Sequence, residues 1–371
     1  ELMPPSFYFS LSPYLDHCAF HHLFNDKSSC FRHFMPNMYD TPLSYMKKAM
    51  SFGLLVFSIV VVSATIFDEQ TQLSQQVNVP FAFCAMWLAL MWLARVEGSQ
   101  ATMVGLPPVD RELYKESHPV AFHVCEYGHR GDNLDRYLMG RQFMVLALVF
   151  VINMSGAPAG EDGADRRTAM SQFFVNSGLA MILFTAMMGQ LNTQVTASYC
   201  MLDYSDSYFQ TVTLYVTMAI EASGLLHASY LVQMLVTRLN GSQVESNEPP
   251  RNWWQNILFW GRVALSVALL VFAFFVTLTA LFEGKTTAWK GIPKVVLIVM
   301  LFALMAIVGM LEGMQIAFFA VSRITEKERK SNLWARWSCD LLFGNTGLGL
   351  PGFLIGRQLC VAACFFLGLH A

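Results

Sequence analysis

Apolar residues along this chain come in long runs broken by short polar stretches, and that rhythm dominates any strand-like alternation. A helix needs roughly 20 predominantly apolar residues to cross the hydrocarbon layer of a bilayer. The runs therefore predict eight spans, at about 47–67, 79–103, 138–156, 172–198, 208–237, 256–282, 292–322 and 353–371. Residues 1–46 fall outside the rhythm and read as an N-terminal cytosolic tail. Residues 238–255, with Asn240-Gly241-Ser242 and Glu248-Pro249-Pro250, are polar and breaker-rich and read as a linker, after which Trp253-Trp254 reads as an interfacial anchor.

The polar interruptions inside the runs repeat. Glu97-Gly98-Ser99-Gln100 closes the second run and Glu312-Gly313-Met314-Gln315 closes the seventh, while Gly140-Arg141-Gln142 and Gly356-Arg357-Gln358 open the third and the eighth. The offset of 215 that carries Glu97 onto Glu312 also lays Ser51, Leu54-Leu55-Val56-Phe57, Val61 and Phe67 on Ser266, Leu269-Leu270-Val271-Phe272, Val276 and Phe282 without a gap. One extra residue in the following loop raises the offset to 216, and Leu138 then meets Leu354 and Val145 meets Val361. Chance apolar similarity does not hold register in this way.

Corresponding spans lie five apart, and an odd number turns the second copy over relative to the first, which is the inverted-repeat plan of secondary transporters. The expected fold is an all-α polytopic membrane protein with two inverted five-helix repeats, 47–237 and 256–371. The second repeat is read as truncated to three helices, so that about eight of ten transmembrane helices are present and the repeat beginning at Arg262 is expected to continue some eighty residues past Ala371. Orientation is evenly contested: Lys47, Lys48, Arg111, Lys115, Arg130 and Arg136 favour a cytosolic N-terminus, whereas Arg323, Lys327, Arg329, Lys330 and Arg336 favour the opposite.

Composition agrees with a lipid solvent. The chain is 54% hydrophobic and 13% charged, against about 25% charged in soluble domains. A net charge of −2 without a basic block excludes a nucleic-acid partner. The eight cysteines are scattered without a C-x-x-C pair, so no disulfide framework is expected. Two His/Cys clusters, one with His17, Cys18, His21, His22, Cys30 and His33 and one with His118, His123, Cys125 and His129, lack ligand spacing, and no metal site is expected. No nucleophile–base pair sits at the repeated motifs, which points away from an enzyme.

An ionised Glu or Arg in a bilayer core costs about 2.5–3.5 kcal/mol on insertion scales and needs a reason. Glu97 and Gln100 are three apart, as are Glu312 and Gln315, so each pair shares one face of a continued helix. Glutamine donates and accepts, glutamate accepts and arginine donates, a set suited to a small neutral polyol. The plain alternative has Glu97 with Arg141, and Glu312 with Arg357, as ion pairs tying adjacent helices together. The intervening glycines permit either close backbone approach or a helix break that frees carbonyls for a cation. Glu221, alone in the fifth run and six residues before His227, is either a proton or cation relay or hydrogen-bonded scaffolding. Gln190, Asn192, Thr193 and Gln194 either line a cavity or bond between helices.

The paired Glu-Gly-x-Gln and Gly-Arg-Gln motifs, with Cys200-Met201-Leu202-Asp203 between the fourth and fifth spans, resemble the silicon (silicic acid) transporters of diatoms. The resemblance covers residues 47–371 and implies a ten-span carrier of silicic acid, sodium-coupled in marine forms, in the plasma membrane or silica-related vesicles, feeding silica wall formation. It also implies that Glu97, Gly98, Gln100, Gly140, Arg141, Gln142, Glu312, Gly313, Gln315, Gly356, Arg357 and Gln358 form the substrate path. Cys200, Met201, Leu202 and Asp203 carry over as a family segment of open role. An uncharged solute gains from the membrane potential only if a cation travels with it, which makes Glu97 and Glu312 the candidate ion-binding residues. Expected partners are silicic acid, sodium and lipid, with homo-oligomerisation allowed. The alternative is a passive channel, or a carrier of another small neutral hydroxy-acid such as boric acid.

Overall fold

The computed structural model describes residues 42–107, 110–158, 178–239, 241, 248–284, 293–321, 333–343 and 349–370. The histidine-rich tail, much of the linker and the basic residues 323–330 lie outside the described residues. Among the described residues regular structure is helical, apart from one isolated bridge between Thr71 and Pro158.

In chain order the helices are α1 (Pro42–Phe67), α2 (Val79–Gly105), α3 (Pro119–Gly128) and α4 (Asn133–Gly156). The fourth predicted span is composite: α5 (Leu179–Phe184), a π-helical segment Thr185–Leu191, and α6 (Asn192–Tyr199). Then come α7 (Met201–Ser205), α8 (Tyr208–Ala222), α9 (Ala228–Leu239), α10 (Trp253–Glu283), α11 (Lys294–Val321), α12 (Leu333–Phe343) and α13 (Gly349–His370). The ends carry recognisable stop signals. Asn252 and Gln255 form a capping box at the start of α10, and Gly284 closes it at φ +70.

Among the described residues five helices are long and apolar enough to cross a membrane, within α1, α2, α4, α10 and α11, and α13 contributes a further apolar stretch at Gly352–Cys364. The fourth and fifth predicted spans differ from the expectation. In the fourth, where 172–177 lie outside the described residues, α5 follows Gly178 in left-handed conformation at φ 68 and leads into the π-helical segment. The fifth is broken between Ala222 and Ala228, where Gly224 takes φ +88. A hydropathy count sees continuous apolar residues in both places, because a single glycine barely lowers the average.

The core is built by α1, α2, α4 and α5. Val62 and Ile66, Met86 and Leu93, Val145 and Ile152, and Met181 and Phe184 are buried together. A smaller cluster of Met103, Val124, Tyr137 and Leu214 fastens α3 and α8 to the same body. By contrast α10 and α11 present rows of exposed large apolar side chains, among them Leu269, Leu270, Phe272, Phe275, Val295, Val299 and Phe302. Such rows are costly in water and at home against lipid tails.

Candidate substrate-binding site

The helix α2 continues unbroken through Glu97-Gly98-Ser99-Gln100, and all four residues are buried. Of the two uses open to the glycine, close approach is the one realised. A Cβ on Gly98 would land on the Tyr204 ring and hydroxyl. Tyr204, on α7, donates from its hydroxyl to the Ala94 carbonyl at 2.8 Å, and the Arg95 guanidinium lies over its ring at 5.0 Å. Burial pushes the Tyr204 phenol up to about 12, which keeps it a donor at neutral pH. The segment Met201–Ser205 thus holds the site from below, and Asp203 ends 3.3 Å from His118 at the start of α3. Cys200, just before it, is disulfide-bonded, so not every cysteine is the free thiol the sequence pattern suggests.

Glu97 is the hub. Arg141 on α4 donates to its Oε2 at 2.7 Å, and Gln194 on α6 donates to the same oxygen at 2.9 Å. Gln190, in the π-helical segment, donates to Oε1 at 3.5 Å. Arg141 also donates to the Val96 carbonyl at 3.2 Å and to Gln142 at 3.1 Å, and its residue is only 2% exposed. Glu97 and Arg141 therefore form a buried, mutually neutralising pair in which the carboxylate accepts three hydrogen bonds and the guanidinium donates three. Breaking such a pair typically costs about 3–5 kcal/mol. Gly140 lets α4 come close enough to α8 that a Cβ would strike the Thr217 carbonyl.

The unsatisfied atoms around this pair are mostly of one kind. The side-chain carbonyls of Gln100, Gln190 and Gln194 and the hydroxyl of Thr185 are buried without a hydrogen-bond partner among the described residues. Because the Gln190 and Gln194 amide nitrogens point at Glu97, their carbonyl oxygens are left as bare acceptors. A buried acceptor without a donor costs about 1–3 kcal/mol, so three amide acceptors on adjacent elements are poised for a ligand rich in O–H donors.

The second copy is paired but looser. Arg357 sits 3.0 Å from Glu312, and it donates to the neighbouring Gln358. Arg357, Gln358 and Gln315 are buried, and the Gln315 carbonyl is again without a partner. The Glu312 side chain keeps 23% exposure against 4% for Glu97. A Cβ on Gly313 or Gly356 would meet nothing within 4 Å among the described residues, so the close packing of the first copy has no counterpart there. The helix α13, which carries Arg357, packs against α5 and the π-helical segment that carries Gln190.

The Glu–Arg pairing offered by the plain alternative thus forms within each copy. Gln190 and Gln194 emerge as contacts of Glu97, and their four-residue spacing was the signal for one shared face. Among the described residues there is no group of three or more His, Cys, Asp or Glu side chains able to hold a metal.

No curated protein and no solved structure matches the chain. A family model described as "Silicon transporter" matches residues 39–369, nearly the whole of it, and spans both Glu-Gly-x-Gln and both Gly-Arg-Gln motifs. Family membership at that coverage carries silicic acid transport with it and sets enzyme chemistry aside, in keeping with the five helices among the described residues that are long and apolar enough to cross a membrane. The chain is a multi-pass membrane protein that belongs to the silicon transporter family.

Proposed function

We propose that this chain carries silicic acid across the plasma membrane together with sodium, binding it beside Glu97. The observation that carries the reading is the set of buried, partnerless amide carbonyls of Gln100, Gln190 and Gln194 around a carboxylate already neutralised by Arg141. Orthosilicic acid is uncharged near neutral pH and presents four hydroxyls that donate as well as accept. It supplies donors to those carbonyls without adding a charge to a pair that has none to spare.

The substrate path runs through Glu97, Gly98, Gln100, Gly140, Arg141 and Gln142, and through the matching Glu312, Gly313, Gln315, Gly356, Arg357 and Gln358. Gln190 and Gln194 join it because they are bound to Glu97. The two copies are read as inverted repeats, on the strength of the shared offset and of the packing of α13 against the segment that serves the first copy. Of the two glutamates, Glu312 is the better place for sodium. It is the more exposed, and among the described residues its ion pair with Arg357 lacks the amide contacts that occupy Glu97.

The test is silicic acid and germanic acid uptake into vesicles with and without a sodium gradient, with boric acid as competitor. Saturable uptake that needs sodium and is insensitive to boric acid is expected. Non-saturating flux indifferent to sodium would replace the carrier with a channel, and competition by boric acid would widen the substrate class.

A further inference from the structure

The break in the fifth predicted span holds a second polar cluster, remote in sequence from the repeated motifs. Interrupting a helix in a membrane exposes backbone groups that must find partners. Here Ser223 N–H returns to the Ala219 carbonyl at 3.0 Å and Gly224 N–H to the Glu221 carbonyl at 3.1 Å. The rest is done from α10, where the Ser266 hydroxyl donates to the Leu225 carbonyl at 2.6 Å and accepts from Ala228 N–H at 3.0 Å. The break is therefore built and held across two elements.

Inside it lie Glu221, 7% exposed, and His227, 3% exposed. Tyr230 donates from its hydroxyl to Glu221 Oε1 at 3.0 Å, and His227 Nε2 stands 3.8 Å from the same oxygen. The His227, Tyr230 and Phe259 rings pack on one another and shut out water from that side. His227 Nδ1 is buried with no partner. With its hydrogen on Nε2, toward Glu221, a neutral imidazole leaves Nδ1 a bare lone pair, which is the atom a proton adds to. The charged groups facing the cluster are Arg136 on α4, held by Glu248 at 2.8 Å, Arg251 over the Phe259 ring at 3.9 Å, and Arg262, whose stem covers Gly224. Glu221 is thus the counter-ion next to the imidazole, with cations on the outer side.

We propose that Glu221, His227 and Tyr230 form a proton-binding site at the break in the fifth span, and that its occupancy sets the rate of silicic acid transport. A proton from water adds to His227 Nδ1, the imidazolium draws toward Glu221, and release returns the proton to water with no other bond changed. The break is the element that responds, because Gly224 and the Ser266 clamp let α8 and α9 change their angle as the Glu221–His227 distance closes. The inference rests on the reading of the chain as a silicic acid carrier.

The full chain is reconstituted in vesicles and silicic acid uptake is measured between about pH 5.5 and 8, across the ordinary histidine range, at fixed sodium gradient. Wild-type uptake is expected to change about 5-fold or more over that range, the lower edge of ordinary coupling between sites. Glu221→Gln and His227→Gln should flatten the profile, and Tyr230→Phe should displace it without flattening it. Should a variant fail to fold, the wild type decides alone: adding silicic acid to purified protein in weak buffer should change the proton uptake recorded by an indicator dye. Variants that keep the wild-type profile, or a wild type with neither a pH-dependent rate nor a proton change, overturn the site. A changed sodium dependence with an unchanged pH profile also overturns it and assigns the break to the cation. Absence of uptake at every pH overturns the carrier reading itself, and the proton site with it.

Discussion

At the scale of single residues, the spacing of Glu97, Gln100 and Arg141 marked a polar site, but their partners were only half legible. Gln190 and Gln194 read equally as cavity lining or as bonds between helices, and they turn out to hold Glu97 with their amides. Gln190 itself lies in the π-helical segment Thr185–Leu191, which changes the facing of the side chains along that helix, and no residue pattern announces such a segment. Gln194→Leu removes a donor to Glu97 and an orphaned acceptor at nearly constant volume. About 1–3 kcal/mol of substrate stabilisation should go with it, a roughly ten-fold or greater loss of silicic acid affinity in uptake assays, and Gln190→Leu should act alike. An unchanged half-saturation concentration for both would remove the two glutamines from the path. A second residue, His129, shows how burial, with Arg111 adding to it, sets a pH response. Its Nε2 donates to the Met103 carbonyl at 2.8 Å, and burial pulls its proton affinity down. The unfolded chain then binds the proton more readily than the folded one, so stability present above pH ~6.5 declines as the pH falls below that value. Thermal melting from pH 8 to 5 should show the decline, and His129→Gln, which keeps an amide donor for Met103, should lessen it.

At the scale of elements, the two copies of the motif look alike in sequence and pack differently. A Cβ on Gly140 would meet the backbone carbonyl of Thr217, which cannot yield without moving α8, and one on Gly98 would meet the ring of Tyr204. Gly313 and Gly356 face open space among the described residues. Alanine should therefore cost about 1–3 kcal/mol at 98, as overpacking does, and more at 140. At 313 and 356 it should be neutral, or stabilising by up to about 1 kcal/mol through helix propensity. Melting temperatures of the four variants in detergent give the comparison directly, and equal losses at all four would show that the second copy packs as tightly as the first. None of this asymmetry is visible in the motif, because a glycine looks the same whether a neighbour fills its missing side chain or not. The broken fifth span escaped notice for a related reason: Ser223-Gly224 interrupts an apolar run too briefly for hydropathy to register.

At the scale of the whole molecule, composition and run length identified a helical membrane protein, and eight apolar runs were read as eight spans. Among the described residues five helices qualify by length and composition, with the fourth and fifth runs divided into shorter pieces. Length along a sequence measures how much apolar chain is available, not whether it stays straight, and irregular backbone is tolerated where protein rather than lipid covers it. The divided fourth span and α8 lie against the tightly packed body of α1, α2 and α4, and α9 packs on α10, while the uninterrupted α10 and α11 carry the lipid-facing rows. The pairing of Glu97 with Arg141, and of Glu312 with Arg357, also has an electrical meaning. Each pair sums to zero, so a binding site that changes its access from one side to the other with neutral silicic acid aboard drags no net charge of its own through the field. Moving one elementary charge across 100 mV is about 2.3 kcal/mol of work, and here that work falls wholly on whatever ion travels with the solute. With sodium removed from both sides and the proton gradient collapsed, any remaining silicic acid flux should be indifferent to the clamped voltage. With a sodium gradient restored, the current divided by the silicon flux would read out the number of ions moved per molecule.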